Sequence, residues 1–335
     1  MIEATNSKSK LTIGIPTYNR SNIIGELLDN IFNQVTEEIL PRLEVLISDN
    51  ASDEDYSSVI KKYATLFPNV ITYQRSPSNV GFSANVDNVI RSATGDFVLV
   101  MSDDDGLVTG ALETVFTIID SHPDIGLAIL SSCTYNQQMT TMTYQPAPSP
   151  DKYFLHGMDY IRKVKSFPPA LISGYVFRRA CWMNNHPEKQ LDVNSIHLVM
   201  AVIVLSSTSC YVQSSRPLVK YRADMGQWSI ETDPLFPFPM FVSYLKGCRA
   251  IKSIYPKDIF SRLYCTTLRT VMGFTIRNKV LGYPFPKREI RKLLDPYLDR
   301  SCFKNSIYTL VMLILLQIPK WILYVPFRWL VPQKL

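Results

Sequence analysis

Short apolar runs alternate with helical patterns over the first 130 residues of the chain. Five runs predict strands, at residues 11–15, 43–47, 70–73, 97–101 and 125–130. The last two are apolar almost throughout, as expected of strands buried on both faces. Apolar residues recur at helical spacing within 23–32 and 112–119, and Ser52, Asp53 and Asp55 begin a helical pattern that continues to Leu66. The alternation predicts a doubly wound, mostly parallel α/β sheet.

The pattern changes near residue 144. Three prolines between 144 and 151 stop either kind of element, because proline fixes φ and lacks a backbone donor. Residues 152–235 are mixed, with one strong apolar run at 198–205, and from about 240 the chain is helical and basic. We therefore divide the chain into four parts, at 1–143, 144–235, 236–305 and 306–335.

The last part is apolar and aromatic. Residues 306–318 carry no charge, but this run of thirteen is shorter than the roughly 20 residues of a spanning helix. Aromatic and basic residues typical of a membrane–water boundary follow it, namely Lys320, Trp321, Tyr324, Arg328 and Trp329. We expect the tail to lie on a membrane surface; the alternative is a C-terminal helix packed on the protein core.

Charge is distributed unevenly along the 335 residues, whose net charge is +6. Residues 1–150 carry 8 Lys and Arg against 18 Asp and Glu, a net of −10, whereas residues 151–335 carry 27 against 11, a net of +16. The basic half suits nucleic acid, an anionic membrane or a phosphorylated substrate. No nucleic-acid module motif is visible, so we expect no nucleic-acid partner. The six scattered cysteines include no Cys-x-x-Cys pair and predict reduced thiols rather than a zinc site.

Four polar segments follow the predicted strands, at residues 16–20, 48–53, 75–85 and 102–106. The fourth, Ser-Asp-Asp-Asp-Gly, puts three consecutive carboxylates at the end of a buried strand, where they repel one another. Mg²⁺ or Mn²⁺ would relieve that repulsion, since both prefer carboxylate and phosphate oxygens. The alternative is an acidic turn that caps the next helix. The three companion loops at the same sheet edge favour a metal–diphosphate site.

Four motifs in this order resemble family 2 glycosyltransferases. They are Ile-Pro-Thr-Tyr-Asn-Arg, Ile-Ser-Asp-Asn-Ala-Ser-Asp, Asn-Val-Gly-Phe-Ser-Ala-Asn and Gly-Asp-Phe-Val-Leu-Val-Met-Ser-Asp-Asp-Asp, within residues 10–130. The resemblance implies a GT-A fold, a nucleotide-sugar donor and inversion at the anomeric carbon. Members commonly build bacterial O-antigens and capsules on a polyprenyl diphosphate lipid carrier. The acidic segment, with Ser102 where the family often has a first Asp, is similar to that of transferases of deoxyhexoses such as abequose or rhamnose.

The resemblance also implies roles for individual residues. It assigns Pro16, Thr17, Tyr18 and Arg20 to the nucleotide pocket, Asp49 to the base ring, Arg75 to the nucleotide or its phosphate, and Asn79 and Gly81 to the loop around the donor. It assigns Asp104 to the metal, with Asp103 and Asp105 helping to hold sugar hydroxyls, ribose or metal. The alternatives are an ordinary turn residue for Asp49 and a solvated strand-end charge for Arg75.

The general base is where the chain departs from the family. Members often carry a Glu-Asp pair before a helix in the second half, and residues 189–200 contain no such pair. His197 matches by position and Asp192 by residue type, with Asp224 third. His197 could instead be a packed or capping residue. The cations Arg216, Lys220 and Arg222 suit either an acceptor phosphate or a solvated surface.

The function expected from the resemblance is metal-dependent sugar transfer at the cytoplasmic face of the bacterial inner membrane. In this interpretation residues 1–143 bind the nucleotide-sugar and 144–235 form the acceptor side of the catalytic domain. Two alternatives are a nucleotidyltransferase, whose Gly-rich triphosphate loop is missing after the first strand, and a degenerate relative that binds donor without catalysis.

Overall fold

The computed structural model describes residues 8–191, 193–223, 238–281, 286–298, 303–319 and 322. The chain divides into two compact units. Unit 1 comprises residues 1–160, 169–192 and 207–224, and unit 2 comprises residues 161–168, 193–206 and 225–335. The four-part division made from the sequence stays a prediction.

Unit 1 contains twelve strands among its described residues. They are β1 (Leu11–Thr17), β2 (Leu43–Asp49), β3 (Ile71–Arg75), β4 (Phe97–Val100), β5 (Gly106–Leu107), β6 (Leu127–Ile129), β7 (Ser132–Tyr135), β8 (Met142–Tyr144), β9 (Lys152–Phe154), β10 (Tyr175–Arg178), β11 (Cys210–Val212) and β12 (Val219–Arg222). All five strands predicted from the apolar runs are present, with ends that differ by one or two residues.

The main sheet has the order β3-β2-β1-β4-β10-β6-β11-β9. β3, β2, β1 and β4 are parallel to one another, but β10 is antiparallel to both β4 and β6, and β9 is antiparallel to β11. Because β6 and β11 run in the same direction as β4, six of the eight strands are parallel and only β10 and β9 oppose them, so the sheet is mixed but mostly parallel, as predicted. The strand–helix alternation ends after β6, where the chain enters the hairpin β7–β8 instead of a crossover helix.

Helices cover the sheet of unit 1. They are α1 (Ser21–Phe32), α2 (Ser57–Leu66), α3 (Phe82–Ser92), α4 (Ala111–Ser121) and α6 (Arg179–Asn184), while α5 (Gly157–Val164) crosses the boundary of the two units. α3 is absent from the elements predicted from the sequence, because its segment begins with residues typical of a loop. It packs on β1 at Gly14, where a Cβ atom would lie 2.1 Å from Val89 Cγ1. Glycine is required there by close packing.

A second, four-stranded sheet of unit 1 has the order β5-β12-β7-β8. β5 begins at Gly106, immediately after the three consecutive aspartates. β12 pairs with β5 on one side and with β7 on the other. Through this sheet, residues near 220 are brought back to the acidic segment at 103–105.

Unit 2 is helical in its described part, as the basic pattern predicted. Its helices are α7 (Ile196–Leu205), α8 (Phe238–Ile251), α9 (Lys257–Leu281), α10 (Lys287–Leu294) and α11 (Phe303–Gln317). All ten residues of α7 are buried, which accounts for a helix that is apolar on every side. α11 packs along α9, where Tyr264 OH lies 2.8 Å from Thr309 Oγ1.

The predicted membrane-surface tail lies partly outside the described residues, which end with 303–319 and 322. In its described part, α11 buries Met312 and Leu316, so one face of this helix follows the alternative of a packed C-terminal helix. Across the described residues, no helix combines the length and hydropathy needed to cross a bilayer.

Candidate active site

The carboxyl ends of three parallel strands bring the predicted motifs together. Thr17 at the end of β1 is in register with Asp49 at the end of β2, and the acidic segment follows β4 on the other side of β1. Ligands of open α/β sheets bind at this edge, beyond the carboxyl ends of the strands. The sequence motifs therefore converge in space, as the parallel alternation of strands and helices predicted.

The acidic turn, residues 102–105, is tied to the loop after β1. Thr17 Oγ1 donates to Asp103 Oδ2 at 2.7 Å, and Arg20 Nη1 donates to Asp103 Oδ1 at 2.9 Å. The same guanidinium nitrogen donates to Asp104 Oδ2, whose other oxygen accepts from the Ser102 hydroxyl. One arginine therefore bridges two neighbouring carboxylates and offsets part of their mutual repulsion.

Asp105 occupies a different environment from its two neighbours. Its Oδ2 accepts from the Ser173 hydroxyl at 2.6 Å, and its Oδ1 accepts from the backbone N–H of Arg222 at 3.0 Å. Ser173 also accepts from the backbone N–H of Ser102 at 3.0 Å. Asp105 thus joins the acidic turn to β12 and to the 3₁₀ helix at 172–174.

Burial raises the pKa values of Asp103 and Asp105. It raises the pKa of Asp103 to about 6, although Arg20 and Thr17 oppose the rise. It raises the pKa of Asp105 to about 7, and the charge of Asp104 adds to this rise. The pKa of Arg20 is raised because Asp103 and Asp104 outweigh the effect of its burial. A cationic ligand at the turn would favour the charged forms of these carboxylates.

The acidic turn fits a divalent cation through Asp104 better than through Asp105. Among the described residues, no group of three or more His, Cys, Asp or Glu side chains is arranged to hold a metal by itself. Mg²⁺, however, is commonly held by one or two carboxylates together with substrate phosphates. The Asp104 side chain is 15% exposed. Its hydrogen-bond partners are the Ser102 hydroxyl and Arg20, and a diphosphate could also bind this arginine. The metal roles of both residues stay predictions.

Asp49 is fully buried, and its carboxylate already accepts four hydrogen bonds. Oδ1 accepts from the backbone N–H and the hydroxyl of Ser52, and Oδ2 accepts from Tyr73 OH at 2.8 Å and from Arg75 Nη1 at 3.3 Å. Burial and Asp49 raise the pKa of Tyr73 to about 12, so its hydroxyl stays a donor. A base ring could bond to Asp49 only in exchange for one of these donors, and the Arg75 contact is the longest.

The loops after β1 and β2 hold each other. Asn19 has φ of 52°, accepts from Asp53 N–H through its side chain, and donates its own backbone N–H to Ser52 Oγ. Tyr56 OH lies 2.9 Å from Thr17 Oγ1 and accepts from the backbone N–H of Arg20. These contacts set the backbone on which the predicted pocket residues stand.

The remaining pocket predictions fall on this same edge. Pro16 is buried within β1, whereas the Tyr18 side chain is 43% exposed. The Asn79 side chain accepts from Asn50 Nδ2 and from the backbone N–H of Gly81, each at 2.9 Å. Gly81 has φ of 84°, a conformation that favours glycine, and is the N-cap residue that precedes α3. The donor-binding roles of these residues stay predictions.

The general base is not identified by the structure. His197 lies on α7 in unit 2 and is 4% exposed, so burial speaks against proton exchange with an acceptor. Asp192 and Asp224 lie outside the described residues. The choice among the three therefore stays a prediction.

The basic residues near 220 are engaged in the fold of unit 1. Arg216 donates to the carbonyl groups of Thr109 and Gly110, and Lys220 Nζ lies 5.3 Å from the ring centroid of Tyr135. Arg222 is buried. These contacts give no support to the idea that the three cations grip an acceptor phosphate.

Arg222 instead supports the acidic turn, a role that the sequence did not predict. Its Nε donates to Asp104 O at 2.7 Å, its Nη1 to Gln137 O at 2.8 Å and its Nη2 to Glu26 Oε2 at 2.6 Å. Its backbone N–H also donates to Asp105, so Arg222 bonds to two consecutive residues of the acidic turn. No sequence signal marks this role, because the partners of Arg222 are up to 196 positions away.

Comparisons with known proteins agree with this geometry. Residues 12–175 match the model of glycosyl transferase family 2. The chain is 30% identical over 310 residues to an uncharacterized glycosyltransferase of Haemophilus influenzae, covering 91% of this chain and 95% of that protein. It is 24% identical over 315 residues to the abequosyltransferase RfbV of Salmonella typhimurium, covering 89% and 91%.

The fold is also found in a solved structure. S. aureus TarS 1–349 in complex with UDP-GlcNAc superposes with a TM-score of 0.71 at 13% identity, covering 96% of this chain and 92% of that one. Together with the acidic turn and the loops that converge on it, these likenesses show that the chain belongs to glycosyltransferase family 2 and has a GT-A-like fold.

Proposed function

We propose that this chain is an inverting transferase that moves a sugar from a nucleotide-sugar to a hydroxyl of a lipid-linked glycan, during synthesis of a bacterial surface polysaccharide such as O-antigen or capsule. The observation that carries the proposal is the bridge from Arg20 to Asp103 and Asp104 at the carboxyl edge of the sheet. The similarity to an abequosyltransferase over most of both chains supports a deoxyhexose as the first sugar to test.

The residues of the turn suit the charge that develops in such a transfer. The bond between the anomeric carbon and the diphosphate breaks, and the electron pair leaves with the nucleoside diphosphate. The acceptor oxygen forms the new bond from the opposite face, and its proton passes to a base. Arg20 is positioned to exchange a carboxylate for a diphosphate oxygen, which its planar donor groups bind well. A Mg²⁺ or Mn²⁺ ion on Asp104 would add charge stabilisation of the leaving group.

The buried partners of the turn keep it in place during the reaction. Ser173 and Arg222 fix Asp105, so Asp104 is held between two anchored neighbours. Preorganised groups of this kind contribute to catalysis because they do not have to reorient when charge develops. A lipid-linked acceptor also places the reaction at a membrane surface, on the cytoplasmic face of the inner membrane.

A donor screen tests the proposal. UDP-, dTDP-, GDP- and CDP-sugars are added to the full chain with Mn²⁺ present, and the melting temperature is recorded. A donor at 100 times its dissociation constant adds about 2.7 kcal/mol to the free energy of unfolding. We expect one nucleotide class to stabilise the protein, with stabilisation reduced by Arg20→Met. No stabilisation by any donor would contradict the proposal.

A second experiment separates the catalytic interpretation from a binding-only relative and identifies the base. A positioned base contributes about 10²–10⁴-fold to turnover. His197→Ala and Asp192→Asn are compared for sugar transfer and for donor binding. We expect one of them to lose activity by at least that factor while donor binding is kept. If both retain normal turnover, Asp224→Asn is the next variant. Donor binding without transfer or hydrolysis in the native chain would favour the degenerate alternative.

A further inference from the structure

The two faces of α11 differ in their surroundings. One face lies against α9, where Thr309 Oγ1 lies 2.8 Å from Tyr264 OH, and Thr309, Met312 and Leu316 are buried. The other face exposes four aliphatic side chains, between 41% and 58% accessible, at the spacing i, i+3, i+4, i+7. These four residues are Ile307, Leu310, Val311 and Ile314, and together they form the α11 stripe. A continuous exposed aliphatic stripe on a packed helix indicates a binding surface rather than core.

An open depression of about 420 Å³ lies at the C-terminal end of the α11 stripe. Its lining consists of Arg291 from α10 together with Leu313, Ile314, Gln317 and Ile318. Ile314 belongs to both the stripe and the depression, so the two form one surface. The lining pairs one guanidinium and one carboxamide with three aliphatic side chains, which is the chemistry of an anionic amphiphile's site.

Two cations of α10 lie at this surface, since Arg291 lines the depression and Lys287 contacts Gln317. Lys287, Arg288, Arg291 and Lys292 are all exposed, and Lys287 Nζ lies 3.4 Å from Gln317 Oε1. Arg291 forms an exposed ion pair with Asp295 at 3.2 Å through Nε, a contact worth little in water. Glu289 is the other acidic residue beside them. Four cations against two carboxylates give the helix α10 and Asp295 a net charge of +2.

The end of α11 is held firmly at this place. Lys279 of α9 donates to the carbonyl oxygens of Leu315, Leu316 and Ile318, at 2.8, 3.0 and 2.7 Å. A cation at a helix C-terminus also interacts favourably with the helix dipole. The depression is therefore framed by an anchored helix end.

We infer that the α11 stripe and the α10 cations bind the surface of an anionic bilayer, and that the depression binds the headgroup of one anionic phospholipid. The phosphate would bind Arg291, and the first acyl carbons would contact Leu313, Ile314 and Ile318. The inference rests on the proposed function only for its expectation of a membrane, and it names the surface and the lipid charge. A symmetric second copy fits poorly, since it would bring two sets of α10 cations together.

Vesicle flotation of the full chain tests the inference. Vesicles of phosphatidylcholine alone are compared with vesicles that contain 30% phosphatidylglycerol. The double variant Leu310→Gln/Val311→Gln removes part of the stripe, and Arg291→Gln removes the headgroup cation. Matched controls are Leu66→Gln and Lys61→Gln, exposed residues of α2 in unit 1.

We expect the native chain and both controls to float with phosphatidylglycerol vesicles only, and to be released by salt. The double variant should lose binding at least tenfold, and Arg291→Gln about fivefold, as expected for one cation near an anionic surface. Equal binding to both vesicles, or double-variant binding equal to that of the native chain, would overturn the inference. So would a native dimer that the double variant converts to monomers, since a second copy would then cover the face.

Failure of this inference is distinguishable from failure of the proposed function. Donor-induced stabilisation in detergent-free buffer involves unit 1 residues only, so it reports on the nucleotide-sugar site without vesicles. A chain that binds donor but does not bind vesicles contradicts only the inference that the α11 stripe and the α10 cations bind a bilayer. A chain that floats but binds no donor contradicts the transferase proposal alone.

Discussion

The acidic turn of unit 1 has three neighbouring carboxylates and the helix α10 of unit 2 has four neighbouring cations, but the two sets of like charges lie in opposite environments. Asp103 and Asp105 are buried at 5% and 4% exposure and bonded to Thr17, Arg20, Ser173 and the Arg222 backbone. The α10 cations are all exposed. Buried like charges must be compensated by the fold, whereas exposed ones are screened by water and salt.

The difference teaches how to interpret a run of like charges. A run that the fold has enclosed and supplied with donors is held in one geometry, which suits a reaction that needs fixed groups. A run left in solvent contributes little to the stability of the fold, and its main effect is long-range attraction of oppositely charged partners. Substitutions in the turn should therefore alter activity, and those at the buried Asp103 and Asp105 should also alter stability, whereas substitutions on α10 should alter association alone.

The largest effect is expected from Asp104→Asn. Removing the carboxylate charge leaves Arg20 paired with Asp103 and removes the residue best suited to a cation and diphosphate. Sugar transfer should fall by about 10²–10³-fold, as for loss of one preorganised electrostatic group. The melting temperature should change little, since the side chain is partly exposed. Glu113→Gln, at an exposed carboxylate of α4, is the control for charge removal. Full activity of Asp104→Asn, and full activity in EDTA, would contradict the metal role.

Arg222→Met comes next in size. It removes the guanidinium donor to the carbonyls of Asp104 and Gln137, and a hydrogen bond of a charged group contributes about 1.5–3 kcal/mol. If Arg222 positions the turn, kcat should fall about tenfold or more with KM for the acceptor little changed. Arg222→Lys should restore part of kcat, because an ammonium keeps the charge but reaches fewer partners. Glu26→Gln is the control, since it removes only the outer, exposed partner. A loss of stability with kcat unchanged would assign Arg222 to the fold only.

The first four strands of the sheet and the convergence of their loops could be predicted from the sequence, because apolar runs and turn residues are local signals. Parallel strands then bring their carboxyl ends to one edge. Thr17, Arg20 and the aspartates lie together for that reason. The α3 helix could not be predicted in the same way, because Asn79 and Gly81 are also typical of loops, and Gly81 is in fact the N-cap residue of the helix.

The other partners of the turn, Ser173 and Arg222, could not be predicted, because they depend on contacts between distant segments. Ser173 lies 68 positions from Asp105, and Arg222 lies 117 positions from it. The antiparallel insertion of β10 between β4 and β6 brings the first partner close, and the pairing of β12 with β5 brings the second. Neither strand has a pattern that specifies its neighbour, so these contacts follow from tertiary packing alone.

A smaller effect is expected on the pH dependence of stability. The folded-state pKa of Asp105, about 7, lies above its ordinary value of 3.8, so the folded state binds this proton more tightly than the unfolded state. Protonated Asp105 therefore contributes its full stabilisation to the free energy of unfolding below about pH 4, and this stabilisation is lost as the pH rises through about 7. Between pH 5.5 and 8 the native chain should therefore lose on the order of 2 kcal/mol relative to Asp105→Asn.

Urea unfolding of both proteins at pH 5.5 and 8, without donor or metal, measures this difference. Asn keeps an acceptor for the Arg222 N–H but does not titrate, so the double difference isolates Asp105. Asp55→Asn serves as the control, since that carboxylate is exposed and its pKa is lowered by its bond to Ser57. Parallel pH profiles for the native chain and Asp105→Asn would contradict a raised pKa at Asp105.

The smallest effect is expected from Arg288→Gln and Lys292→Gln on α10. These cations are four residues apart on one helix, and like charges at that spacing destabilise a helix by about 0.2–0.5 kcal/mol. Removing either charge should leave the free energy of unfolding unchanged within about 0.5 kcal/mol, with any gain largest at low salt. The same variants should weaken flotation with phosphatidylglycerol vesicles. Urea unfolding at 20 mM and 500 mM salt, beside the flotation assay, checks both expectations. A stability loss above about 1 kcal/mol would mean that α10 is held by its charges after all, and would remove the contrast with the acidic turn.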